Sequence, residues 1–81
     1  MKKKTENEDL ERVRPRAMGK QELARLYGPG LADKSALNRL AEWMKHNPKL
    51  MGALEQTGYQ RLQRVLTARQ VALVFEFLGE P

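Results

Sequence analysis

Cysteine is absent from these 81 residues, which removes both a disulfide framework and any thiolate metal site. Histidine and serine occur once each, as His46 and Ser35. Eleven positions apart on one expected helix, they stand about 16 Å apart along its axis and make no nucleophile–base pair. A single His also falls short of the three protein ligands that catalytic zinc usually takes. Gly28-Pro29-Gly30 lacks the following Lys-Ser/Thr that would turn it into a phosphate loop. No apolar run approaches the length of a membrane span, and Met1-Lys2-Lys3-Lys4 leads into acidic residues rather than a signal-peptide core. These shortages give the expectation of a cytoplasmic protein that is not an enzyme, with no metal, cofactor, small-molecule substrate or membrane.

What is present suffices for one small core. Apolar residues make up 41% of the chain, with one Trp, two Phe and two Tyr, and burial of each large side chain contributes roughly 1.5–3 kcal/mol. The net charge is +5, divided as +3 over residues 1–20 and +1 over each of 21–48 and 49–81. That division puts most of the excess ahead of residue 21, where a basic segment attracts phosphate or simply solubilises the end of the chain.

The clearest element is the last. Thr67 and Gln70 have capping-box spacing, and Gly79 followed by Pro81 marks the stop. Between them Val71, Val74, Phe75 and Leu78 share one stripe at 100° per residue, while Leu73 and Phe77 lie on a second. A helix apolar on two sides is enclosed by its neighbours or by a partner chain, so this one is expected to be the central stave of the domain.

Ahead of it, residues 1–11 read as a disordered charged tail and residues 12–81 as a single small helical domain. Glu11 to Met18 is an extended lead-in, because Pro15 is excluded from helix interiors and pushes Arg14 towards an extended conformation. The first helix runs from Gly19 to Tyr27, with Leu23, Leu26 and Tyr27 inward, and Gly28-Pro29-Gly30 ends it. Leu31 is expected to dip into the core. A second helix is capped by Asp33 or Ser35 and runs to about His46, burying Leu37, Leu40, Ala41 and Met44. Trp43 lies at its margin, and His46 meets the last carbonyls. Asn47-Pro48 caps a third helix with Leu50, Met51 and Leu54 inward and Thr57-Gly58-Tyr59 as its exit.

Residues 59–66 are extended or irregular and form a second lead-in. At an offset of 48, Arg16-Ala17-Met18-Gly19 lies against Arg64-Val65-Leu66-Thr67, each set preceding a helix. Two such segments are able to pair. The expected fold is therefore mainly α: a compact, helix-turn-helix-like bundle of about four short helices, with a two-stranded β ribbon as an optional addition.

Residues 20–46 carry the functional signal. Glu22-Leu23-Ala24-Arg25-Leu26-Tyr27-Gly28 resembles the first helix of a helix-turn-helix, although the connection to Leu37 and Leu40 is about three residues longer than the compact form. Ser35, Asn38, Arg39 and Lys45 would then face a DNA groove, where Asn and Arg make bidentate contacts to adenine and guanine. Glu42 on the same face repels phosphate. Arg12, Arg14, Arg16, Arg61 and Arg64, on the two lead-ins, would add phosphate contacts on duplex DNA. The alternative is a protein-interaction module, most simply a homodimer, built on Leu73 and Phe77.

Arg14-Pro15, Lys20-Gln21-Glu22-Leu23-Ala24, Leu54-Glu55-Gln56-Thr57-Gly58-Tyr59, Thr67-Ala68-Arg69-Gln70-Val71 and Leu78-Gly79-Glu80-Pro81 together resemble a family of short Bacteroidetes proteins catalogued as a domain of unknown function. The resemblance spans Arg14 to Pro81. It implies a shared fold and carries no site residue across.

Overall fold

The computed structural model describes residues 14–81. The tail at 1–11 and Arg12 lie outside that range. The described chain runs β1 (Met18–Gly19), α1 (Lys20–Tyr27), α2 (Asp33–Lys45), α3 (Pro48–Glu55), β2 (Val65–Leu66) and α4 (Ala68–Leu78). It is thus mainly α, with a minimal two-stranded sheet.

The two lead-ins do pair. β1 and β2 are antiparallel, Met18 opposite Leu66 and Gly19 opposite Val65, and the Lys20 N–H adds a bond to the Arg64 carbonyl at 2.6 Å. Met18 and Leu66 are buried, which anchors the ribbon in the core. It extends no further than two residues on each strand.

α4 starts as its sequence dictates. The Thr67 hydroxyl accepts from the Gln70 N–H, and Gln70 Oε1 accepts from the Thr67 N–H, a complete capping box. It ends at Gly79, whose φ of 90° and ψ of 158° fall in a region essentially reserved for glycine. α3 is capped by Asn47 Oδ1 on the Leu50 N–H at 3.0 Å, with Pro48 in its first turn. It exits through a Schellman motif: Gly58 at φ 87°, Tyr59 N–H to the Leu54 carbonyl and Gly58 N–H to the Glu55 carbonyl.

α2 departs from expectation at its start. Its N-cap is Ala32, which makes no side-chain cap bond, and Asp33 lies inside the helix. Both carboxylate oxygens of Asp33 are instead held by Arg25 at 3.0 Å, and Gln21 Nε2 donates to its carbonyl. Gln21 and Arg25, one turn apart on α1, therefore tie down the start of α2 from outside. Ser35 is simply exposed.

The inward face of α2 is also rotated. Ala36, Leu40 and Met44 are buried, whereas Leu37 is half-buried and Ala41 exposed. Gly28 explains the rotation. A Cβ there would lie 3.3 Å from Ala36 Cβ, so the absent side chain lets α2 approach α1 with its smallest apolar residue foremost. The α1–α2 contact is the most extensive between any two helices. Leu31, expected inside, is 41% exposed and folds its tip over Gly28.

Leu23, Leu40, Leu50, Leu54, Leu66, Val71 and Val74 form the fully buried centre. α4 packs chiefly on α3, not equally on all three earlier helices. Its link to the α1–α2 pair is aromatic. The Tyr27 ring meets Phe75 edge-on at 6.3 Å and Trp43 at 5.9 Å, and its hydroxyl donates to the Gly79 carbonyl. Burial, with a smaller contribution from the Glu80 charge, pushes the Tyr27 phenol up to about 12.

Candidate functional site

The faces of α2 follow from its 100° period. One holds Ala36, Leu40 and Met44 against the core. The next, with Leu37, Asn38, Ala41 and Lys45, forms a wall of an open depression of about 700 Å³. Across from it stand Met51 and Glu55 of α3, Tyr59 beyond the Schellman turn, Arg61, and Lys20 at the start of α1. The apolar residues missing from the expected core stripe, Leu37 and Ala41, are thus spent on this wall.

Lys20 closes one side of the depression. Its Nζ donates to the Arg61 carbonyl at 2.8 Å and lies 5.0 Å from the centre of the Tyr59 ring. These contacts exist because the β1–β2 ribbon brings residue 20 alongside residues 59–64. Lys20, Lys45 and Arg61 put positive charge on the depression, and Glu42 and Glu55 put negative charge there.

The expected DNA-contacting residues are accordingly divided. Asn38, Lys45 and Arg61 come together at the depression. Ser35 and Arg39 are exposed on the remaining face of α2, where the Arg39 guanidinium lies 4.6 Å from the centre of the Trp43 ring. Arg14 and Arg64 are exposed on the two lead-ins. Arg16 is also exposed, but its guanidinium is bound by Glu22, which offsets its charge locally. His46 ends α2, with Nδ1 2.8 Å from the Glu42 carbonyl.

The charge balance changes once the folded residues are taken alone. Residues 14–81 contain eleven Lys/Arg and six Asp/Glu, which leaves +5, the value for the whole chain. The basic excess therefore belongs to the described domain and not to the segment before it. Leu73 and Phe77 are half-buried and pack against the core, so they present no fully uncovered stripe.

Beside the depression, the turn at residues 60–63 is held by side-chain as well as backbone hydrogen bonds. The Gln63 N–H bonds the Gln60 carbonyl at 2.9 Å, and Gln63 Oε1 accepts from the Gln60 N–H at 3.2 Å. Gln63 Nε2 donates both to the Val65 carbonyl and to Gln70 Oε1, each at 2.7 Å. Gln70 is the buried polar side chain of the described residues. Its own Nε2 donates to the Thr57 hydroxyl at 2.9 Å, so one amide fixes α4, the exit of α3 and the basic turn together. Sequence reading identified Gln70 as a capping residue and missed this second role, together with the roles of Lys20 and Tyr59.

The fold and site define a small, mainly α domain with a two-stranded ribbon and a basic edge. The family model described as "Domain of unknown function (DUF4248)" matches residues 14–81, and the chain belongs to that family. No curated protein and no solved structure matches it. Among the described residues, no helix is long and apolar enough to cross a membrane.

Proposed function

We propose that this protein is a small, non-enzymatic, cytoplasmic DNA-binding protein. In this reading α1 and α2 act as a helix-turn-helix-like unit, and the ribbon supplies additional cations. One observation carries it: Asn38 and Lys45 of α2 border the same depression as Lys20 and Arg61, which the ribbon brings together from positions 41 residues apart. Asn38 is able to reach a base edge, while the three cations bind phosphate and fix the register. Arg39, on another face of α2, and Arg64 and Arg69 are further exposed cations. Glu42 weakens phosphate attraction locally and is suited to accept from a cytosine amino group.

The test is affinity for a short duplex across a salt series. Binding weakens as salt rises, because each phosphate contact releases a counterion. Lys45→Ala and Arg61→Ala each reduce the log–log salt slope by about one, whereas Asn38→Ala lowers affinity and leaves the slope unchanged. No duplex binding at low salt, or binding indifferent to salt, overturns the reading. The homodimer alternative on Leu73 and Phe77 has less to support it, since the monomer's own core already half-covers both.

A further inference from the structure

The residue least explained by folding is Leu62. It is 84% exposed, the most exposed large apolar side chain of the described chain. It occupies a central position of the β-turn closed by the Gln63 N–H on the Gln60 carbonyl. Arg61 precedes it, Arg64 follows two residues on, and the Lys20 ammonium binds the Arg61 carbonyl. Val65, 61% exposed, stands opposite Gly19, which has no side chain to cover it.

A lone exposed leucine on a floppy loop would signify nothing. This turn is closed by hydrogen bonds of both the backbone and the side chain of Gln63, which is itself tied to buried Gln70. An apolar side chain presented on a hydrogen-bonded turn beside cations is suited to enter a base step, as the apolar wedges of DNA-bending proteins do. The cations hold the phosphates on either side, and the apolar group replaces the lost base stacking. We propose that Leu62 is such a wedge, which unstacks one base step of bound duplex DNA and bends it. This rests on the DNA-binding reading above and adds a mechanical role to it. Flexible pyrimidine–purine steps would be its preferred points of entry.

The experiment uses the full chain and a duplex of about 20 base pairs carrying 2-aminopurine at TA steps, where unstacking raises fluorescence and costs least. Wild-type protein should bind and raise the signal severalfold. Leu62→Ala should still bind, within about tenfold of wild type, with the same salt slope, because it removes no phosphate contact. Its fluorescence rise should be lost. Arg61→Ala should instead weaken binding and lower the slope.

If wild type binds without a fluorescence rise, or Leu62→Ala retains the rise, the wedge is wrong and DNA binding stands. If wild type binds no duplex, both fall. Capture of the chain by anionic vesicles without duplex binding would also overturn both, and would assign Leu62 and Val65 to a lipid surface. Circular dichroism of Leu62→Ala separates a lost wedge from a lost fold.

Discussion

The Gln70 side-chain amide donates to the Thr57 hydroxyl at 2.9 Å, while that hydroxyl donates its own hydrogen to the Leu54 carbonyl at 2.6 Å. The arrangement has a fixed polarity. Gln70 Oε1 accepts from the Thr67 N–H, so its nitrogen must be the atom that faces Thr57. Gln70→Glu would replace a donor with an acceptor, so that the Thr57 hydroxyl has to turn from the Leu54 carbonyl to meet it, and would bury a charge. Gln70→Ala would leave several partners unpaired, at about 1–3 kcal/mol for a buried group. Both variants should unfold at lower denaturant concentration than wild type, with the glutamate variant recovering partly at acid pH as its carboxyl is protonated.

Tyr27 sets an alkaline limit. Its phenol is raised to about 12 in the native state against 10 in the unfolded chain. The native state therefore holds the proton more tightly, and its stability is fully present below pH 10. It should decline between pH 10 and 12 as the unfolded chain ionises first. Tyr27→Phe should flatten that decline in denaturant titrations. At neutral pH it should cost about 1 kcal/mol for the lost bond to the Gly79 carbonyl.

Gly28→Ala tests how closely α1 and α2 approach. The backbone there, at φ −133°, accepts any residue, so the cost is steric. The added methyl would lie 3.0 Å from Leu31 Cδ1, which is able to swing away, and 3.3 Å from Ala36 Cβ, which is fixed on its helix. A loss of about 1–3 kcal/mol should appear as a lower unfolding midpoint.

Phe75→Ala removes the ring that joins α4 to Tyr27, and should cost about 3–5 kcal/mol, most of what a domain of this size has. Leu73→Ser with Phe77→Ser should cost less, roughly 2–3 kcal/mol, because both side chains are only half-covered. Sedimentation of that double variant at the wild-type mass would place these residues in the monomer's own packing.

Local signals were the ones the chain spelled out. Thr67 with Gln70, Asn47 with Pro48, and Gly58 each act within one helical turn, so their geometry follows from spacing alone. Which edge of an apolar stripe turns inward is not local. On α2 it was decided by the gap at Gly28, eight residues from Ala36, and the period by itself suits Leu37 and Ala41 equally well. The start of α2 was misjudged for a similar reason, since Asp33 is drawn away from capping by Arg25 of another helix. The depression was the least legible feature, because its walls come from residues 20, 37–45, 51–55 and 59–61 and meet only after folding.

Met18 and Leu66 pair across 48 positions of sequence, so the short ladder closes a loop that contains three helices. Lys20 reaches Arg61 by the same route. A synthetic peptide spanning residues 59–69 would keep the arginines and the leucine but lack the lysine beside them. The cluster of Lys20 with Arg61 and Arg64 therefore exists only in the folded domain, and partial unfolding on either side of the ribbon would disperse it.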